Sequence, residues 1–210
     1  DRLAPRELLS ELPADVQLID VAKLPRGRSA QQEEINRVIV QHALAGKAVV
    51  RFKGGDNFVF GRGYEEVIAC RAAGVPVTVI PGITSPVAVP AIAGIPVTHR
   101  GVTHEFTVIS GHLPPGHPES LTNWTAVAGL TGTLVLMMAV ENAPAIAGAL
   151  LEGGRGSSTR RGDLRRSMPT ERTVLATLGT LEKRLLEEAV RPPAIIVVGE
   201  VVRVAHPDDF

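Results

Sequence analysis

A chain of 210 residues, 44% apolar and 21% charged, can bury a core as one large domain or two small ones, and this composition excludes a disordered or fibrous protein. Its 22 basic and 22 acidic side chains cancel, so no global field draws it to nucleic acid or to an anionic membrane, and a basic site must be a local cluster. Cys70 is the single cysteine, which excludes an intrachain disulfide and a cysteine-based zinc site and fits a reducing, cytoplasmic setting.

The start, Asp1-Arg2-Leu3-Ala4, has no apolar stretch of the signal-peptide kind. The β-branched run Val16–Val21 predicts a strand, and Ser29–Ala45 predicts an amphipathic helix with a polar entry. Lys47–Phe52 reads as a strand and Tyr64–Ala73 as a helix stopped by Gly74 at the position after its cap. Val75–Ile80 reads as a strand, Thr84–Ala93 as a short helix and Glu105–Ser110 as a strand. The stretch Gly74–Thr98 carries no charge and is long enough to span a bilayer, but Pro76, Pro81, Pro86, Pro90 and Pro96 interrupt it. It is expected to be buried strand, loop and short helix.

The Pro- and Gly-dense run from Gly111 to Pro118 has the composition of a hinge. The expected division is an N-terminal α/β domain over 1–112, a hinge over 113–120 and a C-terminal α/β domain over 121–210. In the latter, Thr131–Met138 predicts a strand, Ala143–Glu152 a helix, Leu178–Ala189 a helix and Ala194–Val202 a strongly β-branched strand. Strands alternating with helices on both sides of the hinge place the chain in the α/β class.

The most informative segment is residues 51–63, Arg-Phe-Lys-Gly-Gly-Asp-Asn-Phe-Val-Phe-Gly-Arg-Gly. An apolar run leads into Gly54-Gly55, whose bare backbone can approach a ligand closely, and then into the carboxylate of Asp56. Ligands of α/β proteins sit off the carboxyl ends of strands, so this loop is a candidate site floor. On its own, Gly-Gly-Asp is equally the signature of a plain turn. The run Gly61-Arg62-Gly63 lacks the third glycine of a dinucleotide fingerprint and reads as a helix entry. His99, His104, His112 and His117 match no zinc spacing, and structural or substrate-contact roles are expected for them.

Five segments in register resemble the tetrapyrrole methylase family, in its uroporphyrinogen-methylating branch. They are Gln32-Glu33-Glu34-Ile35-Asn36, the Gly54–Gly63 loop, Pro81-Gly82-Ile83-Thr84-Ser85, Gly94-Ile95-Pro96-Val97-Thr98-His99-Arg100 and Ser110-Gly111-His112. The resemblance covers nearly the whole chain. It implies two α/β domains with S-adenosylmethionine in the cleft between them, S-adenosylhomocysteine as product, no metal, and a cytoplasmic homodimer. The reaction it implies is C-methylation of uroporphyrinogen III at C2 and C7 to precorrin-2, the precursor of siroheme and cobalamin. The alternatives are a SAM- or tetrapyrrole-binding remnant without catalysis and another methylase of the same fold.

By position, the resemblance assigns cofactor contacts to Gly54, Gly55, Asp56, Val59, Thr84, Ser85 and Met138. It assigns a proton acceptor to Asp1 and a proton donor to Lys23. A polycarboxylate substrate needs cations, and Arg2, Arg51, Arg62 and Arg100 are the substrate-binding candidates, because a guanidinium grips a carboxylate with two parallel hydrogen bonds. The family pattern also places a strand, a Gly-Pro-Gly-Asp-Pro loop and a helix ahead of the position of Asp1, so the N-terminal domain is expected to lack them. A second departure falls at 160–166, Arg-Arg-Gly-Asp-Leu-Arg-Arg, where the family has a strand followed by glycine. Four arginines around one leucine argue against a buried parallel strand. Read one base along, a coding sequence for these residues gives Val-Ala-Val-Ile-Cys-Asp, so a frame slip is the expected origin, and no site residue is assigned there.

Overall fold

The computed structural model describes residues 4–21, 28–156, 160–165 and 172–207. They fall into two compact units, Asp1–Thr84 and Ser85–Phe210.

The second unit is built on a five-stranded sheet. Its strands are β1 (Phe106–Ser110), β2 (Thr133–Met137), β3 (Arg160–Arg165), β4 (Thr173–Thr177) and β5 (Ala194–Val198), in the order β1-β2-β5-β3-β4. β1 and β2 run parallel, with Phe106 opposite Thr133 and Ser110 opposite Met137. Every other neighbouring pair is antiparallel. The stretch 113–120 thus connects two paired strands of one sheet.

Alternation along the strands sends successive side chains to opposite faces. Leu134, Leu136, Ile196 and Val198 join one apolar cluster with Trp124, Ala128, Ile146, Leu150, Leu181 and Leu185. Those partners come from α4 (Trp124–Ala128), α5 (Ala143–Glu152) and α6 (Leu181–Glu187). Val135, Ile195 and Val197 face the other way, toward Val89 of α3 (Ser85–Ile92) and Val201 and Val202 of α7 (Val201–Ala205). All five residues of β5 are buried, because this central strand is covered on both faces.

One sequence reading in this unit is corrected. The β-branched run expected as one strand over Ala194–Val202 is a strand only to Val198 and then turns into α7. A short, fully apolar run has no period that separates buried strand from buried helix. Residues 160–165, whose arginine content argued against a buried parallel strand, form β3, which runs antiparallel to both β5 and β4. Its antiparallel ladders satisfy the backbone on both sides whatever the composition. Finally, β4 and the short helix α4 carried no sequence signal strong enough to be read.

In the first unit, a 3-10 turn (Arg6–Glu11) precedes α1 (Arg28–Leu44) and α2 (Gly63–Ala72). Both helices match their expected ranges, and Gly74 takes the left-handed φ of +72° that ends α2. The strands expected at 16–21, 47–52 and 75–80 do not form: these segments carry no strand ladder among the described residues. Their apolar side chains are correspondingly exposed, Val50 to 85% and Ile80 to 79%. β-branched composition gives the propensity to be extended, but a ladder needs a partner alongside. No described helix of either unit is long and apolar enough to cross a membrane.

Leu136 is fully buried in β2 whereas Val50 is almost fully exposed. Leu136→Ala is expected to cost ~2–5 kcal/mol of unfolding free energy. Val50→Ser should stay within about 0.5 kcal/mol of the parent. Urea denaturation followed by circular dichroism measures both.

Candidate functional site

The Gly54-Gly55-Asp56 loop is shaped by a carboxylate that points inward. Asp56 Oδ1 accepts the backbone N–H groups of Phe58 at 2.9 Å and Val59 at 3.2 Å, and Oδ2 accepts that of Gly82 at 3.4 Å. Hydrogen bonds to the charged form, that from Phe58 foremost, hold the Asp56 carboxyl below the ordinary aspartate range. Asn57 adds a second link to the same neighbouring segment, donating its Nδ2 to Ile80 O at 2.8 Å. Residues 56–57 are thereby fastened to 80–82.

Glycine is required where these backbones meet. A Cβ at Gly82 would overlap the carbonyl of Gly55. A Cβ at Gly61 or Gly63 would press on Asn57 O, which accepts the Gly63 N–H at 3.0 Å. Gly55 differs: its φ is +76° and a Cβ there would meet nothing nearer than Ile83 O at 3.8 Å. Conformation, not crowding, fixes that glycine. The loop then enters α2 through Arg62, itself left-handed at φ 54° and paired with Glu65 at 2.7 Å. Phe58 packs edge-on against Tyr64, with ring centroids 5.7 Å apart.

Beneath the loop lies a buried charge cluster that sequence reading missed. Gly63, Glu66, Val67 and Cys70 recur at helical spacing on the buried face of α2. A glutamate there must be paired. Glu66 Oε1 accepts Arg51 Nε at 3.0 Å, Lys53 Nζ at 3.4 Å and Gln32 Nε2 at 3.4 Å. Gln32, on α1, also donates to Asn36 Oδ1. The Lys53 and Glu66 side chains are only 7% and 8% exposed. Burial pushes the Lys53 ammonium below its usual range, partly offset by the Glu66 charge. The signal that could have found the cluster is Glu66's own place on the apolar face.

The expected site residues are distributed as follows. Gly54, Gly55, Asp56 and Val59 share the loop just described, and Thr84 closes the first unit. Ser85 opens α3 in the second unit. Met138 follows β2 there, half exposed and left-handed at φ 53°. Of the substrate-binding candidates, Arg51 gives its Nε to Glu66 and an Nη1 proton to Phe52 O. Arg62 is engaged by Glu65, and Arg100 is exposed in the turn spanned by the His99–Thr103 bridge. Asp1, Arg2 and Lys23 lie outside the described residues. Of the four histidines, His112 pairs with Ser110 Oγ at 2.7 Å and His117 accepts the Glu119 N–H. No cluster of potential metal ligands occurs among the described residues.

Comparison with known proteins gives a consistent result. Residues 1–182 match the family model of Tetrapyrrole (Corrin/Porphyrin) Methylases. The chain is similar to a uroporphyrinogen-III C-methyltransferase of Methanocaldococcus jannaschii, 41% identical over 206 residues, which are 97% of this chain and 84% of that protein. It is similar to a siroheme synthase of Xylella fastidiosa, 40% identical over 207 residues, 98% of this chain but 43% of that longer protein. Among solved structures it resembles the uroporphyrin-III C-methyl transferase of Thermus thermophilus complexed with S-adenosylhomocysteine. The TM-score is 0.70 at 44% identity, over 82% of this chain and 75% of that one.

The Asp56 geometry sets a pH dependence. A carboxyl whose folded pKa is depressed contributes stability that is complete above the unfolded value and is lost as pH falls through the folded value. Protection of the Phe58 and Val59 amides against hydrogen exchange is therefore expected to hold down to the ordinary aspartate value of ~4 and to disappear below it. Asp56→Asn should weaken that protection already at pH 7. Amide exchange measured by NMR checks both outcomes.

Proposed function

The chain belongs to the tetrapyrrole methylase family, and on that premise we propose that it transfers methyl groups from S-adenosylmethionine to C2 and C7 of uroporphyrinogen III, yielding precorrin-2 for siroheme and cobalamin synthesis. The observation that carries this reading is the 41% identity, over 97% of the chain, to a uroporphyrinogen-III C-methyltransferase. The loop supports it: Gly55 makes a left-handed turn at φ +76°, and Asp56 and Gly82 hold that backbone in place.

When bound, S-adenosylmethionine supplies a methyl group already activated by its sulfonium, so no metal is called for and the chain's task is alignment. Gly54, Gly55, Asp56 and Val59 would hold the donor from the first unit, with Thr84 at its end. Asp56 does so indirectly, because its oxygens are engaged by its own loop. Arg2, Arg51, Arg62 and Arg100 would bind substrate carboxylates. Arg51 retains its Nη2 edge for this after pairing through Nε and Nη1. Methylation of a ring carbon requires a proton to leave, and Asp1 would accept it, with Lys23 as donor. The proposed setting is a cytoplasmic homodimer.

A second reading, binding of the donor or the tetrapyrrole without turnover, draws on one observation. The extended segments 16–20, 47–53 and 75–84 of the first unit carry exposed apolar side chains and no strand ladder.

Incubation with S-adenosylmethionine and enzymatically generated uroporphyrinogen III separates the two. Turnover is expected to give isobacteriochlorin absorbance and a product carrying two added methyl groups by mass spectrometry. S-adenosylhomocysteine binding in calorimetry without methylated product would favour the second reading, and methyl transfer only to another acceptor would overturn the substrate assignment. Gly82→Ala, which drives a methyl into Gly55 O, should abolish donor binding while leaving the Leu136 core folded.

A further inference from the structure

The Gly54-Gly55-Asp56 loop leaves the extended segment at Lys53 and re-enters regular structure at α2, and its two ends are joined by charge. We propose that Glu66 is the positioning residue of the donor-binding loop: its buried carboxylate clasps Arg51 and Lys53 ahead of the loop to α2 behind it, and so sets where the Gly55 peptide edge stands. The proposal rests on the reading of that loop as the donor site.

The physical case has three parts. First, the clasp spans the loop: Lys53 and Arg51 lie thirteen and fifteen residues before Glu66, and everything between Lys53 and Glu66 is the loop and its entry to the helix. Second, the clasp is buried, with Lys53 and Glu66 side chains 7% and 8% exposed. A pair shielded from water holds geometry that an exposed pair does not. Third, the same Oε1 takes Gln32 of α1, so one oxygen ties both helices of this unit to the segment that carries the loop. Inside the loop, Asp56 and Gly82 fix its shape. The Gly63 N–H to Asn57 O bond and the Phe58–Tyr64 contact tie the loop to the first turn of α2, and the clasp adds the buried, charged link.

None of the three partners of Glu66 needs to touch the donor. Their effect on binding runs through the backbone that follows Lys53. Catalytic groups held by such supporting contacts lose activity steeply when displaced by about 1 Å.

The test uses the full chain and two variants. Glu66→Gln keeps the shape of the side chain and removes its charge. Lys53→Met removes a buried cation instead of orphaning one, so it stays folded even where Glu66→Gln does not. Each is read by S-adenosylhomocysteine calorimetry and by amide exchange of residues 54–59, with amides of β2 as the internal control. Expected is a weakening of S-adenosylhomocysteine binding of about tenfold or more, with faster exchange confined to 54–59 and unchanged protection in β2. In steady-state methylation the KM for S-adenosylmethionine should rise in the same proportion. Glu66→Asp should recover part of the loss.

Parent affinity and parent loop exchange in folded Glu66→Gln would overturn the clasp. Should Glu66→Gln not fold, the same result in Lys53→Met would overturn it. Failure of the parent itself to bind S-adenosylhomocysteine would instead overturn the donor-site reading, and exchange of 54–59 would still decide whether Glu66 positions the loop.

Discussion

The Asp56 carboxylate accepts N–H groups from Phe58, Val59 and Gly82, and through them it fastens residues 56–59 to the segment at 80–82. The proposed donor site depends on this contact, because the Gly55 peptide edge is useful only if its backbone stands still. The contact also dictates glycine. Two backbones that meet this closely leave no room for a Cβ at Gly82, and the left-handed turn at Gly55 disfavours one. An acid that the sequence offers as a ligand contact organises the surface the ligand would meet.

Each unit holds a stretch of backbone with a buried charged side chain. In the first, Glu66 gathers Arg51, Lys53 and Gln32. In the second, Arg155 donates Nη1 to Leu130 O at 2.6 Å and Nη2 to Gly132 O, gripping the turn that starts β2. Burial lowers the Arg155 pKa, partly offset by the nearby Glu105. Glu105 in turn accepts the Gly132 N–H at 3.0 Å. Orphaning one member of such a buried set costs ~3–5 kcal/mol, far more than breaking an exposed pair. The exposed Arg62–Glu65 and Arg37–Glu34 pairs sit at the other end of that scale.

The two units differ in how completely their strands are used. Around β5 every backbone edge has a neighbour, and each face of the sheet is covered by its own apolar cluster. In the first, the order comes from helices, from the glycine loop and from side chains that reach across it. The β-prone segments there stay extended and exposed.

Local pattern was enough for what is local. The sequence by itself determined both helices of the first unit, α3, α5 and the strands β1 and β2, because helical period, capping glycine and apolar β-branched runs are written within each segment. It also determined the glycine loop and the family, since five spaced motifs carry them. Only the tertiary structure decided what depends on a partner: that 16–21, 47–52 and 75–80 form no ladder, that 160–165 does, and that the run after Val198 turns into a helix. It also decided that Arg51 and Lys53 meet Glu66 and that Asp56 turns inward. Propensity resides in a residue and its neighbours along the chain, whereas a ladder, a buried ion pair or a close backbone approach exists only once distant segments have been brought together.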